Sequence, residues 1–412
     1  MAGLKTIKHL YEVSDERHRL LSMEGIRGIA VLLVFFVHFH VLFGRYASLY
    51  PAIERTSSIL GSIGNTGVDL FFVLSGYLIY GALLRKRASY IEFIRRRIER
   101  IYPTFLAVFF LYLGLSVVFH SENKIHGSFF SVSVYILENV LLLPGIFHIT
   151  PIITVAWSLS YEFFFYLSIP LIIWLTGMRE WRKAARMAFF FALWASYVLY
   201  AFAVPQSQVR LLLFVSGILL YETVSTNWLR ARLTRKGEIF AICTFLLTLG
   251  FVYLYDVRPA WFSFLPRMAA GRTVLPGVPT FQGPYKVIAL SISCAVLALY
   301  SFEFEGLLKA AFSWSPLRYL GNMSYSYYLI HGLVLHAAAF VTYLIAPPSR
   351  PSIITFLVAL PLGFAMTWIV STALFLVVEK PFSLKRPEIE TSQAEVAKQQ
   401  SDHSTAFIPT RR

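Results

Sequence analysis

Polar and apolar residues come in long blocks along this chain. Ten apolar runs stand out, at 26–44, 66–84, 101–120, 151–177, 187–204, 209–225, 238–255, 285–303, 321–345 and 353–378. Each approaches or exceeds the roughly 20 residues a helix needs to cross a hydrocarbon core. The pattern predicts an all-α polytopic membrane protein with about ten transmembrane helices. A further stretch, 128–147, is interrupted by Glu138 and Asn139 and reads as an interfacial or re-entrant piece. Residues 1–25 form a polar head of mixed charge, with no cleavable signal peptide expected before the first run. Residues 383–412 are polar and aperiodic and are expected to be a disordered tail. The predicted plan is thus a head, one membrane domain over 26–382, and a tail.

Composition supports this reading. The chain is 57% hydrophobic and 14% charged, where soluble domains carry about 25% charged residues. The net charge of +15 does not indicate a nucleic-acid partner, because the basic residues fall in short clusters between apolar runs. Those clusters occupy alternate loops: Arg85, Lys86, Arg87 with Arg95, Arg96, Arg97 and Arg100; then Arg179, Arg182, Lys183 and Arg186; then Arg230, Arg232, Arg235 and Lys236. Only Lys124 is basic in 121–150, although Arg258, Arg267 and Arg272 interrupt the alternation in 256–284. By the positive-inside rule the rich loops are cytoplasmic, and an even number of spans puts both termini there. Cys243 and Cys294 lie inside apolar runs and imply neither a disulfide nor a metal site.

The polar residues inside the runs carry the candidate chemistry. The first run, RGIAVLLVFFVHFH (27–40), holds Arg27 and, eleven residues on, His38. Eleven helical residues are about three turns and ~16 Å, so both side chains share one face. Arg27 is expected at the cytoplasmic surface and His38 near mid-bilayer. An intramembrane ionisable group is a functional candidate by default, and imidazole is suited to accept a proton. A packing histidine bonded to a neighbouring helix is the alternative. His40 faces another way. In the second run Asp69 could orient an acceptor or a histidine, or serve as a helix cap or interface charge. Arg96, Arg97 and Arg100, just before Pro103, present forks suited to phosphate, beyond what orientation alone requires. Glu162 lies deep in the fourth run beside Trp157, Ser158, Ser160 and Tyr161. His331 lies near mid-depth in the ninth, with Ser324 and Tyr328 on roughly its face. Glu379 closes the tenth, where a basic loop can partner it.

Together these pieces resemble the membrane-bound acyltransferase-3 family, which moves acyl groups onto cell-surface sugars and some small molecules. The matching segments are Arg27-x10-His38, GVDLFFVLSGYLI (67–79), RRIERIYP (96–103), WSLSYEFFFY (157–166), GNMSYSYYLIH (321–331) and VEKPF (378–382), in the family's order over nearly the whole chain. The resemblance implies a ten-helix membrane domain, an acyl-coenzyme A donor (acetyl-coenzyme A foremost) on the cytoplasmic side and no metal. It makes His38 the catalytic histidine, with Arg27, Arg97 and Arg100 handling the donor. Arg96 joins them on charge, and Glu162, His331 and Asp69 complete the candidate catalytic set. Phe163 stands where the family often has a second glutamate, which leaves the acceptor open. No secreted hydrolase-like domain is expected to be fused, so the acceptor expected is a surface polysaccharide or lipid-linked glycan at a bacterial inner membrane. The competing reading is a proton-coupled transporter using His38, Glu162 and His331 as a relay.

Overall fold

The computed structural model describes residues 10–12, 21–85, 89–118, 125–204, 208–225, 230–258, 261, 283–347 and 352–384. Most of the predicted head, nearly all of the predicted tail, Lys86, Arg87 and Lys124, and most of the loop 256–284 lie outside the described residues. The described chain is helical: α1 (Leu21–Phe43), α2 (Pro51–Gly64), α3 (Thr66–Arg85), α4 (Tyr90–Val118), α5 (Phe129–Val140), α6 (Trp157–Leu175), α7 (Lys183–Ala203), α8 (Leu211–Val224), α9 (Arg235–Val257), α10 (Pro284–Glu303), α11 (Leu307–Phe312), α12 (Ser315–Asn322), α13 (Ser324–Ile345) and α14 (Ile353–Leu374). A π-helical segment, Phe375–Ser383, continues α14.

Nine helical stretches among the described residues are long and apolar enough to span a membrane. The surface is what lipid requires: Trp174, Leu344, Ile345, Ile354 and Ile369 are exposed, while Asp69, Glu222, Glu238, His331 and Glu379 are fully buried. A water-soluble protein distributes these classes the other way. The protein is an all-α polytopic membrane protein.

Two predicted elements change on folding. The run 209–225 forms α8, of only 14 residues, about 21 Å at 1.5 Å per residue and short of the hydrocarbon thickness. Its apolar character is explained by burial: Leu212, Leu213, Phe214 and Ile218 are enclosed by other helices. The run 101–120 is the second part of a longer helix, because α4 starts at Tyr90 and passes through Pro103 without ending. Proline removes one backbone donor, and the amphipathic first turns, with Arg96–Glu92 and Arg95–Glu99 pairs on their outer face, continue across it. The segment 128–147, not expected to span, supplies the 12-residue α5, too short to cross. Its Asn139 is buried and accepts the Ile152 amide at 2.8 Å, tying the following loop back.

α1 is the central element, packing against α2, α3, α11, α12 and α13. Lipid gives no hydrophobic drive between helices, so close approach at small residues holds them together. The clearest case joins α3 and α8. A Cβ on Gly76 would lie 2.1 Å from the Phe214 carbonyl oxygen, and one on Gly217 would lie 2.1 Å from that of Val73. Neither backbone can yield without separating the helices. Gly76→Val should therefore destabilise the protein by about 1–3 kcal/mol or more, as overpacking does. A fall in detergent melting temperature checks this, with Leu78→Ala on the exposed side of α3 as control. Equal melting of the two variants would refute the packing argument.

Candidate active site

α1 and α13 run side by side and carry two matched pairs. Near their N-termini the Arg27 guanidinium donates to Ser324 Oγ, from Nη2 at 2.9 Å and Nε at 3.2 Å. Further along, the His38 and His331 rings meet edge to face, with centroids 4.8 Å apart at 69°. His38 is half-buried and His331 is fully buried. His331 Nδ1 faces the carbonyl oxygens of Tyr328 at 2.7 Å and Tyr327 at 3.1 Å. Its Nε2 is buried with no hydrogen-bond partner. His40, two residues past His38, turns to α2 and bonds Ser57 Oγ at 2.9 Å.

Beside Arg27 and Ser324 lies a cleft bounded by Arg27, Phe71, Ser158, Glu162, Tyr325 and Tyr328 among others. Glu162 is held on one oxygen, which accepts from Ser75 Oγ at 2.9 Å and from the Tyr166 hydroxyl. Tyr328 lines the cleft. Its hydroxyl is paired with Ser158 Oγ at 2.8 Å, and its ring lies 5.9 Å from that of His331. Tyr325 also lines it and carries the Arg100 guanidinium on its ring at 5.4 Å. Arg27 lines the cleft directly, while Arg100 and His331 lie behind its tyrosines Tyr325 and Tyr328.

The arginines of α4 are not equivalent. Arg96 points outward to Glu92 at 2.7 Å. Arg100 is paired at 2.8 Å with the fully buried Glu379 of the π-helical segment. The other Glu379 oxygen accepts the Ser326 amide at 3.0 Å and the Ser326 hydroxyl at 2.6 Å. Glu379 therefore ties α4 to the first turn of α13. Arg97 lies over the rings of Phe93 and Tyr166, at 5.1 and 5.6 Å, and its Nε is buried without a hydrogen bond.

Asp69 sits apart from the histidines. It is fully buried and pairs with Arg210 at 3.2 Å, and Arg210 stacks on Trp157 at 4.7 Å. The sequence reading passed over Arg210, although an arginine opening an apolar run is itself a signal. It also passed over Glu222, which is fully buried and holds Arg186 at 2.6 Å and the Tyr80 hydroxyl at 2.5 Å. The structure brings together Arg27, Glu162, Arg97 and Arg100 around the cleft, and His38 with His331 beyond it. It places Arg96 and Asp69 outside that arrangement.

The chain is thus a helical membrane domain with arginines, a glutamate and a histidine pair set among its helices. The model of the acyltransferase-3 family, described as an acyltransferase domain, matches residues 20–376, and the chain belongs to this family. It is an O-acyltransferase. Among its relatives, the exopolysaccharide production protein ExoZ of Rhizobium meliloti is 28% identical over 303 residues, covering 71% of this chain and 82% of that one. The acyltransferase MdmB of Streptomyces mycarofaciens is 28% identical over 332 residues, covering 77% and 79%. The peptidoglycan O-acetyltransferase OatA of Listeria monocytogenes is 27% identical over 343 residues, covering 75% of this chain and 48% of its own length. The chain thus spans about half of that last relative. No solved structure matches.

Proposed function

We propose that the protein moves an acyl group, acetyl foremost, from acyl-coenzyme A on the cytoplasmic side to a hydroxyl of a surface polysaccharide or its lipid-linked precursor, in a bacterial inner membrane with both termini inside. The observation that carries this reading is the cleft lined by Arg27, Tyr325 and Tyr328, whose two tyrosines contact Arg100 and His331 in turn. The names of the relatives that act on exopolysaccharide and peptidoglycan support a glycan acceptor.

The residues present suit such a donor. Arg97 has guanidinium donors free of any ion pair among the described residues, so it binds a phosphate, with Arg100 and Arg27 adding positive potential. The thin pantetheine arm enters the cleft past Tyr325, with Arg27 and Glu162 on its walls, and the thioester reaches the histidines beyond Tyr328. His38 takes the proton of the acceptor hydroxyl. The oxygen attacks the thioester carbonyl, an ester C–O bond forms and the C–S bond breaks. The thiolate leaves with the proton from His38. Base catalysis of this kind contributes about 10²–10⁴-fold, and positioning of the two substrates supplies more.

The test is the ester content of surface glycans isolated from cells with and without the gene, alongside thioester cleavage by the purified protein. The expected result is loss of O-acyl esters in the deletion and their return on complementation. Unchanged ester content, with substrate-dependent proton flux in its place, would overturn the reading in favour of a transporter.

A further inference from the structure

We propose that His331 is the positioning residue for His38: its Nε2 lone pair accepts the second N–H of the His38 ring and stabilises the imidazolium that forms when His38 takes the acceptor proton. The inference rests on the reading of His38 as the base.

Three features of the structure lead to it. First, His331 is fixed in one tautomer. Its Nδ1 faces two carbonyl oxygens, at 2.7 and 3.1 Å. Carbonyls only accept, so Nδ1 carries the hydrogen and Nε2 carries the lone pair. Second, that lone pair is buried and unpaired. A buried acceptor without a partner is costly and calls for a reason. Third, the ring beside it is His38, at 4.8 Å between centroids. No hydrogen bond joins the two rings in this structure, and the proposed bond forms when the His38 ring turns an N–H toward Nε2. Among the described residues the His38 ring has no hydrogen bond of its own.

The device does the work of the carboxylate in a serine-protease triad, which holds the base in the correct tautomer and supports its charge without taking the proton. An imidazole suits a membrane interior better than a carboxylate, because it is neutral at rest and needs no counter-charge. With one His38 N–H directed to His331, the other nitrogen presents its lone pair to the acceptor hydroxyl. The proton that His38 gains there returns to the leaving thiolate, and His331 keeps its own proton throughout. His336 is the other histidine on α13. It is exposed and bonds the Gly332 carbonyl at 2.7 Å, so it does not serve this role.

Two substitutions separate positioning from mere structure. His331→Asn keeps a donor near the Tyr327 and Tyr328 carbonyls and removes the acceptor at the Nε2 position. His331→Gln keeps an acceptor oxygen at that depth. The expected result is a fall in kcat of roughly 10–150-fold for His331→Asn, the worth of one charge-assisted hydrogen bond, with donor KM and detergent melting temperature unchanged. His331→Gln should recover a large part of kcat. Surface-ester content of cells carrying each variant should rank the same way, and that readout assumes no particular donor. Wild-type kcat in His331→Asn, or equal losses in both variants, would overturn the pairing. Failure of the donor reading shows separately, as absence of thioester cleavage by the unaltered protein.

Discussion

His38→Ala should lower acyl transfer by about 10²–10⁴-fold, the span of general-base catalysis, and leave a folded protein. The fold should survive because the half-buried His38 ring makes no hydrogen bond among the described residues, and its ring contact is with His331. Neighbouring Phe35 and Phe39, both buried, carry the packing of this stretch of α1. Raising the donor concentration should not restore the rate, since the loss lies in the chemical step. Turnover of acetyl-coenzyme A against donor concentration, on protein whose melting temperature matches the unaltered form, checks this. A well-folded His38→Ala protein with normal turnover would remove the histidine from the mechanism.

The arginines of α4 should separate into two behaviours. Arg100→Ala removes the ion-pair partner of a fully buried carboxylate. Breaking a buried pair from one side costs about 3–5 kcal/mol, against a total stability of about 5–15 kcal/mol for a typical domain. The variant should therefore melt much lower or fail to accumulate. Glu379→Gln in the same chain should recover part of the loss, since the buried charge is gone while a side-chain oxygen remains for Ser326. Arg97→Ala leaves no buried charge behind. It should melt normally and raise the donor KM by roughly 10–150-fold, the worth of one charge-assisted bond to phosphate, with much of the rate regained at saturating donor. Melting temperature and donor KM for the three proteins check both halves. A stable Arg100→Ala protein with only a KM defect would place Arg100 on the donor and leave Glu379 as a bystander.

This division departs from the sequence alone, which offered Arg96, Arg97 and Arg100 as equivalent. The spacing Arg97-x2-Arg100 fixed their common helix but not their partners. Arg96 and Glu92 lie four apart, and that outward pair was legible in principle. The partner of Arg100 lies at position 379 in a π-helical segment that hydropathy does not distinguish from α14.

Sequence by itself determined the class of fold and drew out the candidate polar residues. Apolar runs and a low fraction of charge are local properties, and lipid forces each such run into a helix whatever surrounds it. The same logic singled out His38, His331, Glu162 and Asp69, because an ionisable group in hydrocarbon must have a cause. What tertiary structure alone decided was which of these meet. His38 faces His331 because α1 and α13 approach closely, with Arg27 and Ser324 paired nearer their N-termini. Asp69 faces Arg210 because α3 and α8 cross at Gly76 and Gly217. Run length also misled at 209–225, since an apolar stretch records burial and not the medium that buries it. α8 is shielded by protein, not lipid, and so need not span the bilayer. Pairing between distant segments depends on the packing of helix faces throughout the bundle, and no local window of sequence contains that information.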